Sequence, residues 1–204
     1  MKNVLILGAH PDDCELNAGG FIHRFSKSKK IFICNATGSR TRRAEGKKAA
    51  SVLGIQDVLF VTHHKDTEIY KTLDTLIKQI DFMIKTLNID TIITHSLADA
   101  HQDHAAVARA ACASSRLISK LIFFKPTAPS TGSLGHFNPN FVVKLSKENI
   151  KAKCAALREH KSQLCKYGEE SWIKVTEQTA IADAWVYGGF HGFCELFEVS
   201  KMVE

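Results

Sequence analysis

Val4-Leu5-Ile6-Leu7-Gly8, followed at once by Ala9-His10-Pro11-Asp12-Asp13, decides how this chain is read. An unbroken apolar run of strand length reads as a β-strand covered on both faces, the habit of parallel sheets. Similar runs recur at Ile31–Asn35, Val58–Val61, Thr91–Thr94 and Leu121–Phe124. Between them, Ile69–Leu87 carries Ile69, Leu73, Leu76, Ile77, Ile80, Ile84 and Leu87 on one helical stripe. Shorter helical stretches run from Ala18 to Ser26, from Arg43 to Leu53 before the stop at Gly54, and from Ala105 to Ile118. This alternation predicts an α/β fold: a Rossmann-like, mostly parallel sheet with helices on both faces.

After Pro126 the pattern changes. Pro126 to Gly132 has the composition of a loop, Phe141–Leu145 reads as a strand, and Lys147 to about Lys166 as a polar, Lys-rich helix. Edge strands are expected around Ala182–Val186 and Glu195–Val199, giving an elaborated C-terminal third. No repeat or linker interrupts the chain, so residues 1–204 are read as a single domain.

Composition narrows the function classes. No apolar run approaches the ~20 residues of a bilayer-spanning helix, and a cytoplasmic place is expected. The six cysteines contain no C-x-x-C pair, which argues against thiolate zinc sites and a disulfide framework. Cys14, next to the first cluster, is the one that could lie near a site. A formal charge of +6 favours an anionic partner, such as a nucleotide-linked sugar. The basic stretches at Lys27–Lys30, Arg40–Lys48 and Lys147–Lys166 lack the interleaved aromatics of a base-stacking surface, so nucleic acid is not expected. The sequence leaves oligomeric state open, and a homo-oligomer is compatible with it.

Ligands of open α/β sheets bind beyond the carboxyl ends of the strands. His10 to Asp13 follow the first strand, His63 and His64 the third, and His95 and His101-Gln102-Asp103-His104 the fourth. A dinucleotide loop is absent, since Gly8-Ala9-His10-Pro11-Asp12-Asp13 stands where G-x-G-x-x-G would, and adjacent carboxylates repel a pyrophosphate. Helix capping by one Asp of each cluster is the simplest structural use of these residues. It leaves the second Asp of the first cluster and three imidazoles without a purpose, whereas imidazole and carboxylate donors together suit a hydrolytic metal site. On donor type alone that site takes zinc (Zn2+) or ferrous iron (Fe2+).

Ala9-His10-Pro11-Asp12-Asp13, with Glu15 and Gly19-Gly20, resembles the first signature of the PIG-L/LmbE-like family of zinc-dependent amino-sugar deacetylases. His101-Gln102-Asp103-His104 resembles its second, H-x-D-H. Arg42, Glu45, Ala49 and Leu53-Gly54 are similar to the family's second helix, and His160-Lys161-Ser162-Gln163 to its C-terminal pattern. Phe193 to Phe197 resembles a degraded form of the terminal motif.

The resemblance implies His10, Asp13 and His104 as metal ligands and Asp12 as general base. It implies His101 as stabiliser of the oxyanion, in its protonated form, with Asp103 orienting or charging it. The implied reaction is attack of zinc-bound water on the acetamide carbonyl of an N-acetylglucosamine-type substrate, releasing acetate. Arg42 and Asp66 match substrate-contacting positions; otherwise they read as a helix first-turn residue and a helix cap. His63, His64 and His95 are expected behind the ligands, and His136 as a contact from the Gly132–Pro139 loop. His160 and Gln163 are expected to pack structurally, and Trp172, Trp185 and Tyr187 to serve the core before a sugar ring. Two alternatives stand beside this: an amidase acting on a non-sugar acyl amide or thiol conjugate, and a non-catalytic metal-retaining binding protein.

Overall fold

A computed structural model describes residues 1–56, 58–61, 64–126 and 136–203. Five parallel strands alternate with helices: β1 (Asn3–Gly8), α1 (Asp13–Phe25), β2 (Lys30–Asn35), α2 (Arg40–Val52), β3 (Val58–Phe60), α3 (Leu73–Leu87), β4 (Thr91–Thr94), α4 (Gln102–Ser114) and β5 (Lys120–Phe124). A 3-10 turn, Ile69–Thr72, precedes α3. The chain continues through β6 (Phe141–Leu145), α5 (Lys147–Arg158), α6 (Lys161–Tyr167), α7 (Glu170–Val186) and β7 (Phe193–Met202). All seven strands form one sheet in the order β3-β2-β1-β4-β5-β7-β6. Among the described residues only the pairings of β7 with β5 and β6 are antiparallel.

Side-chain alternation along β1 explains why both faces need covering. Val4 and Ile6 point into a core shared with Phe21 and Ile22 of α1, Ala49 of α2 and Leu53 just past its end. Leu5 and Leu7 point the other way, onto Leu76 and Ile80 of α3 and Val107 and Ala110 of α4. Burial of one such side chain is worth about 1.5–3 kcal/mol, so these two layers fix the sheet. α1 approaches β6 so closely that a Cβ on Gly20 would lie 2.4 Å from Leu145.

Four expectations change at this level. α1 begins at Asp13 rather than Ala18, which instead marks a kink with φ −139°. The Lys-rich helix breaks after Arg158 and resumes at Lys161. Ala182–Val186 is the end of α7, whose Trp172, Thr176, Ala180 and Ala184 are buried at helical spacing. Glu195–Val199 lies within β7, an interior strand, and the sheet's edges are β3 and β6. Among the described residues no helix is long and apolar enough to cross a membrane.

Candidate metal centre

The strand order runs outward from β1 through β2 and β3 on one side and from β4 through β5 on the other. The reversal lies between β1 and β4, where loops diverge and leave a crevice. His10, Asp12 and Asp13 leave the end of β1; His95, Asp99, His101, Asp103 and His104 follow the end of β4. Thus His10 Nε2 meets Asp103 Oδ2 at 3.1 Å across 93 positions of sequence.

One donor atom from each of His10, Asp13 and His104 lies within 4.8 Å of the other two. His10 Nδ1 stands 3.5 Å from Asp13 Oδ2, and His104 Nε2 stands 3.5 Å from Asp13 Oδ1. Those separations are long for hydrogen bonds but match the edge of a tetrahedron with zinc-ligand bonds of about 2.1 Å. The far nitrogen of each ring is already engaged. Asp103 and Asp66 lie 3.1 Å from His10 Nε2, and Asp99 lies 2.9 Å from His104 Nδ1. A carboxylate on one imidazole nitrogen orients the other toward a metal. These residues fit a divalent ion.

The local charges agree. Burial opposes a charged His10, yet Asp103, Asp13 and Asp66 overrule it and push its pKa up to about 12. Burial likewise works against a charged Asp13, but His104 and His95 hold it well below the usual carboxylate range. The cluster has a surplus of negative charge that a cation relieves. His95 sits behind the ligands, stacked on His104 with centroids 3.9 Å apart. Its Nε2 accepts the Ala9 N–H and lies 3.1 Å from Asp13 Oδ2. Burial and the neighbouring His104 push its pKa down to about 4.

Asp12 adopts φ 123°, a backbone conformation that L residues rarely hold. Arg42 secures it, donating from one guanidinium nitrogen to Pro11 O at 2.9 Å and Asp12 Oδ1 at 2.8 Å. Gly38, at φ 136°, lets the turn after β2 pass under Pro11, whose ring a Cβ there would meet at 2.7 Å. Burial, then the charge of Asp13, pushes the Asp12 carboxyl up to about 6, with Arg42 pulling against them.

Neither aspartate is used for capping as the simplest reading supposed. Asp12 makes no side-chain cap bond to α1. α4 is capped by His101, whose Nδ1 accepts the Asp103 N–H at 3.2 Å. That bond leaves Nε2 to carry the proton of a neutral ring. Burial, His104 and His10 lower the His101 pKa, while the charges of Asp103 and Asp13 work to raise it. The Asp103 carboxylate acts on His101 through its charge, which favours the protonated ring, while its own bonds go elsewhere. It accepts the Thr67 N–H at 2.7 Å and the Ile69 N–H at 3.4 Å, and meets His10.

A cavity of about 270 Å3 opens over His10, Asp12, Asp13, His101 and His104, with Arg42 and Asp66 in its walls. Asp66 caps no helix; its half-exposed carboxylate reaches His10. His64 lies elsewhere, bonded to Thr72 and Gln79, and His136 is exposed. His63 and the first half of the Gly132–Pro139 loop lie outside the described residues. Cys14 is a core residue, its thiol turned to Ile6 O. Gln163 and Trp172 line the cavity, while Trp185 and Tyr187 are exposed. His160 is fully buried 3.5 Å from the equally buried Glu15. Sequence reasoning missed Asp99, Leu16, Lys166 and Tyr167. Asp99 carried a faint signal, lying in the same post-strand loop as the second cluster.

Residues 5–115 match the PIG-L family model, described as GlcNAc-PI de-N-acetylase. The chain is 30% identical over 175 residues to YaiS, an uncharacterized deacetylase of Escherichia coli (strain K12), covering 79% of this chain and 91% of that protein. It is 26% identical over 211 residues to a probable N-acetyl-alpha-D-glucosaminyl L-malate deacetylase 2 of Bacillus cereus, covering 91% and 94%. The N,N'-diacetylchitobiose deacetylase of Pyrococcus horikoshii shares the fold, with a TM-score of 0.80 at 18% identity over 98% of this chain and 84% of that one.

Proposed function

The chain belongs to the PIG-L family, and we propose that it is a metal-dependent hydrolase removing the acetyl group from an N-acetylated amino sugar. The observation that carries this reading is the convergence of His10, Asp13 and His104 with Asp12 beside them. A purely structural metal site has no use for Asp12, a further buried carboxylate held in a strained backbone conformation. The names of the Bacillus cereus and Pyrococcus horikoshii proteins support the amino-sugar class.

His10, Asp13 and His104 would hold zinc or ferrous iron. Bound there, the ion supplies Lewis-acid polarisation of the amide carbonyl. Asp12 takes the proton of the attacking water and returns it to the amine nitrogen as the C–N bond breaks. Arg42 keeps that carboxylate in place through its paired bonds to Pro11 and Asp12. His101, neutral and fixed in one tautomer, donates its Nε2–H to the developing oxyanion. Asp103 holds His10 and the Thr67 loop together. Asp66, with half its carboxylate open to the cavity, accepts sugar hydroxyls. Acetate and a free amine leave. Residues 1–204 act as one domain in this reading, and six free cysteines support a cytoplasmic place.

The test is acetate release from N-acetylglucosamine, N,N'-diacetylchitobiose and N-acetylglucosaminyl malate. Release is expected from at least one, lost after chelation and regained with zinc. Tight zinc binding without acetate release from any of them would make the protein a metal-retaining binder instead.

A further inference from the structure

A second cavity, of about 100 Å3, lies against the metal cavity between α1, α7 and β7. Leu16, Asn17 and Trp172 line both, so the two cavities meet at these three side chains. The two cavities offer different chemistry. Arg42 and Asp66, two charged groups of the metal cavity's wall, arrive from the β2–β3 side of the sheet, and α6 adds Gln163 and Lys166 to the same wall. The second cavity lies on the β7 side, among Leu16, Trp172, Val175, Ala180 and Leu196. Its two lysines are both neutralised. Lys125 Nζ meets the two oxygens of Asp183 at 2.6 and 2.8 Å, and Lys153 Nζ meets Glu195 Oε1 at 2.7 Å. An anionic group entering there would find each of these cations paired, whereas an alkyl chain would find Trp172, Ala180 and Leu196, the buried apolar part of the wall.

We propose that this cavity is an acyl site, which receives the tail of an N-acyl group longer than acetyl. The inference rests on the hydrolase reading above and extends its substrate class to amino sugars carrying short, uncharged acyl chains. With the polar part of the substrate against Arg42 and Asp66, the acyl carbon over His10, Asp13 and His104 has its tail directed toward Leu16 and Trp172. Water adds its oxygen to the acyl carbon, the C–N bond breaks, the amine takes the proton, and the acid leaves with its tail. Val175, which is 59% exposed, stands at the outer rim, so a longer tail can run out over α7.

The experiment compares kcat/KM of the zinc-loaded full chain on glucosamine bearing N-acetyl, N-butyryl, N-hexanoyl or N-succinyl groups. Two added methylenes in a fitting apolar site are expected to raise kcat/KM for N-butyryl about tenfold over N-acetyl, with N-succinyl below both. Thr179→Phe, at the half-buried rim, should return N-butyryl and N-hexanoyl to the N-acetyl level while changing N-acetyl turnover by less than about twofold. Val175→Trp, at an exposed position where folding is not at stake, should do the same for N-hexanoyl. The acyl site is overturned if the parent protein hydrolyses N-butyryl and N-hexanoyl about tenfold less well than N-acetyl. It is equally overturned if a long-chain preference survives in both variants. If the metal-loaded protein releases no acid from any of the four, N-acetyl included, the hydrolase reading falls and the acyl site falls with it.

Discussion

The two rims of the parallel sheet hold the same kinds of residue and use them in opposite ways. At the amino rim Asp90 Oδ2 accepts the Lys2 and Asn3 N–H groups at 2.7 and 3.0 Å, and its carbonyl accepts those of Ser119 and Lys120. One residue thereby ties the starts of β1, β4 and β5. At the carboxyl rim Asp12, Asp13, Asp66, Asp99 and Asp103 crowd around four imidazoles, with ligand atoms 3.5 Å apart and unbonded. A carboxylate spent on fixed donors makes a joint. Asp13 also takes a main-chain donor, the His10 N–H at 2.7 Å, but still faces two imidazoles at 3.5 Å, and that makes a site, at a cost in stability that a bound cation offsets.

The largest expected effect breaks chemistry without touching the joint. Asp12→Asn removes the proton acceptor but leaves His10, Asp13 and His104 in place. Turnover should fall about 10^2- to 10^4-fold while metal content stays near the parent's. Rates of acetate release and metal analysis on the same sample decide it. Loss of metal in step with activity would mean that Asp12 belongs to the ligand set.

A second buried joint lies beneath α1 and marks the other pole of the comparison. Glu195 accepts the Gly20 and Phe21 N–H groups at 2.9 and 2.7 Å as well as Lys153, so three donors satisfy one carboxylate. Glu195→Ala strands a buried ammonium and two main-chain N–H groups, and should cost about 3–5 kcal/mol in a denaturation midpoint measurement. If that loss were no larger than the one at His104→Ala, the division between joint and site would fail. Asp99→Asn lies between the poles. Asp99 bonds the ring of His104 rather than the ion, so zinc affinity should fall about 10- to 100-fold by competition with a chelating dye. Thermal stability without metal should hardly move.

How much of this was legible depends on how local the signal is. β1, β2, β4 and β5 are doubly covered, so each announces itself as an unbroken apolar run. The metal donors sit in two short segments directly after such runs, and the topology that joins them follows from strand–helix alternation. Asp99 stands alone in Ser96-Leu97-Ala98-Asp99-Ala100, where no spacing sets it apart. The end of α7 was misread because Trp185-Val186-Tyr187 is rich in strand-favouring residues, although the helical burial began far upstream. β7 was misplaced at an edge because its antiparallel insertion between β5 and β6 depends on partners distant in sequence. The junction of the two cavities at Leu16, Asn17 and Trp172 comes from two elements more than 150 positions apart, and has no sequence pattern at all.

The smallest expected effect probes the amino rim by pH. Burial works to raise the Asp90 carboxyl pKa, but the Thr91 hydroxyl and the Asn3 and Lys2 N–H groups favour the charged form and hold it below 3.8. A carboxylate lowered on folding adds stability above its unfolded value, and that stability is lost as pH falls through the lower folded one. Asp90→Asn should therefore be less stable than the parent at pH 7 by under about 1 kcal/mol, the nearby solvent weakening these pairs. Urea midpoints should converge as both proteins are taken into acid below the lowered carboxyl pKa. A gap that persists unchanged in acid would assign the joint to the geometry of its hydrogen bonds, not to charge. In that case the amino rim would differ from the carboxyl rim in kind, since protonation dissolves only the latter's attraction for a cation.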